Sequence, residues 1–289
     1  MNKDLTIVFS SYQSEHLLTK ILKNLHRKFN IIVIENSLDK EIKKSLEKKF
    51  SNTTVIIPEK NLGLAKSYNL GIKKSKTNYV FLNNPDIEIQ SQSILQLLNC
   101  AKKIKKFGII SPTYKIEKIY KNYEIFFKRK SKYLKTNSKF KIKEVDHIDN
   151  NFLINKQNIK GTLFDENFFL YFETSDFAYN LRKRNKKLYV VDNIKFHHYG
   201  SSSVNYQFKN IVNKSRSFHY NWSKFYFYKK NFNYFYALGK IFPNLVKSLK
   251  KIILGLVLIK RNNSLHGFLE LTGILTSLLY LKPFYRPKN

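Results

Sequence analysis

The chain has a single cysteine, Cys100, in 289 residues. A lone thiol excludes a disulfide framework within the chain and any zinc site built from cysteines, and it suits a reducing compartment. Acidic residues are scarce too: 20 Asp and Glu stand against 53 Lys and Arg, a formal net charge of +33. The chain also lacks any apolar run reaching the roughly 18 uncharged residues that a membrane-spanning helix requires. The longest candidates, Ile252 to Ile259 and Leu271 to Leu281, fall short. The stretch Met1-Asn2-Lys3-Asp4 carries no apolar signal core, so a cytoplasmic location is expected. Zinc-finger spacing, a helix-turn-helix signal and ribonucleoprotein motifs are missing as well, and no nucleic-acid partner is expected. The excess charge is then read as attraction to an anionic membrane surface, as lysine bias of the genome, or as both.

What is present is enough apolar material for a core. Hydrophobic residues make up 43% and aromatics 15%, which excludes a disordered chain. The length suits one large domain with a smaller appendage. Leu5 to Phe9 reads as a buried strand, followed by a polar turn at Ser10-Ser11-Tyr12-Gln13 and a helix with Leu17, Leu18, Ile21, Leu22 and Leu25 at helical spacing. Strands at Ile31 to Ile34, Thr54 to Ile57 and Tyr79 to Leu82 alternate with helices at Lys40 to Phe50 and Leu64 to Lys74. That alternation predicts an α/β fold with a mostly parallel sheet and right-handed crossovers. From Pro112 to about Lys143 the pattern degrades and predicts a long loop or edge region. The apolar run Phe168 to Phe172 reads as a strand leading into a helix, and Leu188 to Val191 and Ile194 to His198 as two further strands.

The most informative local feature is Asn83-Asn84-Pro85-Asp86, placed directly after the apolar strand at Tyr79 to Leu82. Ligands of open α/β sheets bind outside the carboxyl ends of the strands, so Asp86 stands where a metal-bound phosphate could be met. Pro85 ends the strand and stiffens the turn.

Taken in order, these motifs resemble the family 2 glycosyltransferases of the GT-A fold, most closely the rhamnosyltransferase-like branch, over roughly residues 4 to 230. Ser10-Ser11-Tyr12 stands where that family has its Thr-Tyr-Asn turn, and Glu35-Asn36-Ser37-Leu38-Asp39 where it has Asp-Asn-x-Ser-x-Asp. Asn61-Leu62-Gly63-Leu64-Ala65 and Asn69-Leu70-Gly71 are similar to its Asn-x-Gly-x-Ala…Asn-x-Gly signature. The resemblance implies a nucleotide-sugar site holding Ser10, Tyr12, Glu35, Asn36, Asn61, Gly63, Asn69 and Asn84, with Glu35 meeting the pyrimidine ring and Gly63 letting the backbone approach the ligand. Asn84-Pro85-Asp86 resembles a version of the metal-binding Asp-x-Asp motif. It implies a Mg2+ or Mn2+ ion held by Asp86, with His198 of His198-Tyr199-Gly200-Ser201-Ser202 completing the metal shell or touching the diphosphate. The segment Phe164 to Glu173 is similar to the run into the family's Glu-Asp catalytic motif, but Thr174 stands where the carboxylate often lies. Glu173 is therefore the favoured base and Asp176 the second candidate, unless Asp176 pairs with backbone amides or Arg182. Arg216 and Lys224, further on, are candidates to neutralise diphosphate.

In the last segment Ile241, Leu245, Leu249, Ile252, Leu256 and Ile259 fall on one helical stripe, with Lys240, Lys247, Lys250 and Lys251 largely off it. Such a stripe either lies in a bilayer interface or packs on the protein's own core. The expected organisation is a GT-A domain over residues 1–205, with a nucleotide-sugar half (1–111) and an acceptor and catalytic half (112–205), then a basic helical region over 206–289 associated with the inner face of the cell membrane. The function expected from the resemblance is metal-dependent, inverting transfer of a sugar, rhamnose foremost, from a nucleoside diphosphate donor to a lipid-linked or surface-polysaccharide acceptor. The competing readings are a non-catalytic scaffold of the same fold at the membrane surface, and a nucleic-acid-binding protein.

Overall fold

The computed structural model describes residues 2–104, 106–115, 122–125, 133–134, 140–198 and 204–287. Its elements are β1 (Leu5–Ser11), α1 (Glu15–Lys23), β2 (Asn30–Glu35), α2 (Lys40–Lys49), β3 (Thr53–Ile56), α3 (Gly63–Lys74), β4 (Tyr79–Asn83), β5 (Ile87–Glu88), α4 (Ser91–Lys103), β6 (Ile109–Lys115), β7 (Tyr123–Glu124), β8 (Ile142–Val145), β9 (His147–Ile148), β10 (Phe152–Asn155), α5 (Glu173–Lys183) and β11 (Leu188–His198). A single 3-10 turn at Tyr206–Phe208 then precedes α6 (Lys209–Asn231), α7 (Tyr234–Val257) and α8 (Arg261–Leu278).

Two compact units result. The first comprises Met1–Leu62, Lys66–Phe164 and Phe177–Asn205, and the second Gly63–Ala65, Asp165–Asp176 and Tyr206–Asn289. In the first unit the described strands build one nine-stranded sheet in the order β3-β2-β1-β4-β10-β6-β11-β5, with β8 also paired to β11. The strands from β3 to β4 are mutually parallel, as are β6 and β11; β10 runs antiparallel between β4 and β6. Apolar strand residues such as Leu5, Ile7, Phe9, Ile31, Val33 and Phe81 share one core with Leu18, Leu22, Ile42 and Leu97 of the flanking helices. Helix α2 is fixed at its start by Asp39, whose carboxylate accepts from the Glu41 and Ile42 amides, and ends in Lys48 and Lys49, the signs its dipole favours. Cys100 is buried in α4, and burial pushes its thiol up to about 11.

Three expectations are corrected. The run Phe168 to Phe172 is no strand: it is a bend with Tyr171 and Phe172 both in the left-handed region at φ 68° and 63°. Its rings pack on α6, Phe168 against Tyr226, Tyr171 against Tyr220 and Phe172 against Phe227, and Ser223 Oγ donates to the Leu170 carbonyl. The apolar run therefore serves helix packing and not a ladder. Leu188 to His198 is one strand; its register against β6 shifts between Val191 and Lys195, which breaks the apolar pattern in two. The stretch read as a loop from Pro112 onward begins inside β6 and reaches β8, and much of its middle lies outside the described residues.

In the second unit α6, α7 and α8 pack together. Gly267 makes this possible: a Cβ there would lie 2.9 Å from the Ser248 carbonyl oxygen and 2.8 Å from an Ile252 side-chain carbon. Helix α7 starts at an Asn233 cap and contains Pro243. Along its stripe Ile241 and Ile252 are buried, whereas Leu249, Leu256 and Ile259 are exposed. Part of the stripe thus packs on protein and part faces outward. Among the described residues no helix is long and apolar enough to cross a membrane.

Candidate functional site

The carboxyl ends of β1 and β2 meet in a polar knot. Glu35, fully buried, accepts from Ser11 Oγ at 2.6 Å and from the Gln13 and Ser37 amides at 3.1 and 3.0 Å. Its carboxylate thereby fixes the turn carrying Tyr12, whose phenol is raised above its ordinary range by burial and by the Glu35 charge. Asn36 donates to Ser10 Oγ, the Ser11 carbonyl and Ser67 Oγ, and its side-chain oxygen accepts from the Leu62 amide at 2.9 Å. It ties the Asn61-Leu62 loop, where Asn61 is half-buried, to the sheet rim. Ser67, which the sequence reading passed over, lies inside the Asn61 to Gly71 signature and was legible there.

Asn69 is also inward. Its amide donates to the Phe164 carbonyl at 2.9 Å and accepts from the Phe164 amide at 3.0 Å, as a neighbouring strand would. Gly63 sits at φ 72°, and a Cβ there would lie 2.3 Å from the Phe169 carbonyl oxygen, which accepts from the Leu64 amide at 2.8 Å. The close approach that Gly63 permits in this structure is that of the chain's own Phe169 backbone.

The β4 end presents the second cluster. Asn83 donates to the Asn84 and Ile87 carbonyls and receives Asn151, which locks the turn through Pro85. Asn84 Oδ1 accepts from the Tyr68 hydroxyl at 2.7 Å. Strand β11 pairs antiparallel with β5, setting His198 opposite Ile87, and so brings His198 Nε2 to 3.5 Å from Asp86 Oδ2. The Tyr114 ring lies against His198 in a tilted contact, with ring centroids 5.2 Å apart. Asp86 Oδ1 is buried and has no hydrogen-bond partner among the described residues. A buried carboxylate oxygen without a donor costs free energy unless a cation meets it. Asp86 and His198 therefore fit the ligand chemistry of a hard divalent ion, which could take its remaining ligands from outside the chain. Among the described residues, groups of three or more His, Cys, Asp or Glu suited to a metal are absent. Tyr199 to Ser202, the rest of the His198 motif, lie outside the described residues.

In the second unit Glu173 and Asp176 stand in the first turn of α5 and differ in surroundings. Asp176 is fully buried, with Lys230 Nζ at 2.7 Å from Oδ2 and Asn231 Nδ2 at 2.8 Å from Oδ1. Lys230 also meets Asp165 at 2.8 Å; burial raises Asp165, but Lys230, the Asn167 amide and Tyr226 bring it below the ordinary range. Asp176 thus ties α6 through Lys230 and Asn231. Its partner is Lys230, and Arg182 pairs with Asp146 at 3.0 Å instead. The Lys230 role carries no signal in the sequence. Glu173 stays beside Tyr171, whose phenol is raised by burial, lowered by Arg216 and raised again by Glu173 and Tyr220. Of the two cations proposed for diphosphate, Lys224 donates to Asn244 and Arg216 to Asn213.

Solved structures share this fold at low identity. The S. aureus TarS fragment 1-349 in complex with UDP-GlcNAc matches at 15% identity with a TM-score of 0.53, covering 98% of this chain and 93% of that one. The mannosyltransferase PcManGT from Pyrobaculum calidifontis, in complex with GDP-Man and Mn2+, matches at 12% and 0.51, covering 95% and 86%. GalNAc-T7 with UDP, GalNAc and Mn2+ matches at 14% and 0.53, covering 78% of this chain and 50% of that one. The chain spans 44% of the longer TarS structure it also matches. No curated protein matches it in sequence. The sequence model described as "Glycosyl transferase family 2" matches residues 6–162, more than half of the chain, and the sheet order and rim clusters sit within that span and β11. The chain belongs to glycosyl transferase family 2, with the GT-A fold.

Proposed function

We propose that the chain is a metal-dependent, inverting glycosyltransferase that moves a sugar, rhamnose foremost, from a nucleoside diphosphate donor to a lipid-linked or surface-polysaccharide acceptor at the inner face of the cell membrane. The observation that carries this reading is the Oδ1 of Asp86, buried beside His198 and without a hydrogen-bond partner among the described residues. Asp86 and His198 would hold Mg2+ or Mn2+, and PcManGT and GalNAc-T7 were crystallised with Mn2+. Such an ion would supply charge stabilisation for the departing nucleoside diphosphate. Glu35 and Asn36 hold the rim turns against which the nucleoside lies, and Asn84, oriented by Tyr68, meets the sugar or a metal-bound water.

Glu173 accepts the acceptor hydroxyl's proton as that oxygen bonds to the anomeric carbon. The bond from that carbon to the diphosphate oxygen breaks, its electron pair leaves with the nucleoside diphosphate, and the configuration inverts. The outward-facing apolar residues of α7 and α8, with the basic surplus of the C-terminal region, support association with an anionic membrane surface. Release of nucleoside diphosphate from a panel of nucleotide sugars, with and without manganese, tests the reading. No release from any donor under either condition would favour a non-catalytic scaffold of the same fold.

A further inference from the structure

Within the second unit a pocket of about 360 Å3 opens among α6, α7 and α8, lined by Asn213, Arg216, Ser217, Lys251, Asn263 and His266. Its wall is built of donors held in place. Ser217 Oγ is 2.8 Å from His266 Nδ1, Arg216 donates to Asn213 Oδ1 at 3.3 Å, and Lys251 pairs with Glu270. Glu270, the single acidic residue between 206 and 289 against fifteen Lys and Arg, is engaged by Lys251 and by Ser248 Oγ at 3.2 Å. A guanidinium, an ammonium, two amides and an imidazole around one small space match the oxygens of a phosphate.

The position of the pocket selects the kind of phosphate. Lys251 directly precedes the apolar end of α7, and Asn263 and His266 directly follow the α7–α8 turn. Between them Ile253, Leu254, Leu256, Val257, Leu258 and Ile259 are all exposed, Ile259 to 80%, next to exposed Lys250, Lys260 and Arg261. Apolar side chains bordered by cations suit the boundary between headgroups and acyl chains. On another side Arg216 lies close enough to the Tyr171 phenol to lower it, and Glu173 acts on the same phenol.

We propose that this pocket seats the phosphate of the lipid-linked acceptor, with the lipid's hydrocarbon beside the inserted α7–α8 turn. The assignment rests on the glycosyltransferase reading for the identity of the ligand as an acceptor, but the pocket is tested by binding alone. Vesicles of phosphatidylcholine are compared with vesicles also containing phosphatidylglycerol or undecaprenyl phosphate at matched charge, using flotation of the full chain. The expected result is binding to both anionic vesicles, with about ten-fold tighter binding to undecaprenyl phosphate, a surplus of about 1.4 kcal/mol. Arg216→Gln and His266→Gln should each remove that surplus while retaining phosphatidylglycerol binding and the thermal unfolding profile. Equal affinity for the two anionic vesicles, or a surplus that survives both substitutions, would overturn the proposal. Absence of nucleotide release by the wild-type protein would instead strike the glycosyltransferase reading and leave the lipid-phosphate pocket measurable.

Discussion

Asp86 Oδ2 stands 3.5 Å from His198 Nε2, although 112 positions separate the two residues in the chain. The juxtaposition is made by two short backbone pairings, His198 with Ile87 and His197 with Glu88, at the β5–β11 edge. Oδ1 of the same carboxylate has no hydrogen-bond partner among the described residues.

Asp86→Asn keeps the shape and removes the charge. Turnover should fall by at least about 100-fold, beyond the usual cost of losing an outer partner of a metal ligand, while the unfolding midpoint stays near wild type. Manganese titration monitored by donor release checks this, and unchanged activity would remove Asp86 from the metal.

Glu173 and Asp176 should separate cleanly. Glu173→Gln is expected to lower kcat by about 10²–10⁴ with little effect on donor binding. Asp176→Asn should retain turnover per folded molecule, and Lys230→Met should lower stability by about 2 kcal/mol, a value reduced from the fully buried case because Lys230 is 30% exposed. Denaturant unfolding together with steady-state kinetics distinguishes the two roles.

Gly63→Ala meets both a left-handed backbone and the Phe169 carbonyl. A loss of at least about 2 kcal/mol is expected from backbone strain and overpacking. Urea unfolding measures it, and a change below experimental error would mean that Phe169 moves aside freely.

His219 makes stability depend on pH. Burial pushes its imidazole down to about 3, against the opposing bond between Nε2 and the Tyr285 carbonyl at 2.7 Å, and Arg286 adds to the depression. The unfolded chain takes up this proton below about pH 6.5, whereas the folded chain does not until about 3. Its contribution is therefore complete above about pH 6.5 and declines as pH falls toward the folded value, by up to about 1.4 kcal/mol per pH unit. Chemical denaturation at pH 7 and pH 5 should show a loss of about 2 kcal/mol from this group, which His219→Gln removes.

The strand and helix alternation of the first hundred residues was legible because buried strands and amphipathic helices carry their own periods, as β1, β2, β4 and α1 show. The same local reading failed at Phe168 to Phe172, where apolar content reports burial but not the partner that buries it. In the site, the place of Asp86 just beyond the apolar strand β4 was legible from the sequence. The partner of Asp176 was not, because Lys230 lies 54 positions away and one lysine among so many carries no pattern.

The sequence by itself determined the family, the α/β alternation and the residue types at the strand ends, since these depend on short-range periodicity and on motifs in order. Tertiary structure alone decided which of those residues are tied inward. Asn36 and Asn69 became backbone ties, Asp176 an anchor, and Gly63 a seat for the Phe169 backbone. The physical reason is that a polar side chain's role is set by whether its hydrogen bonds are met by the protein or left for a ligand, and that is settled only when distant segments meet.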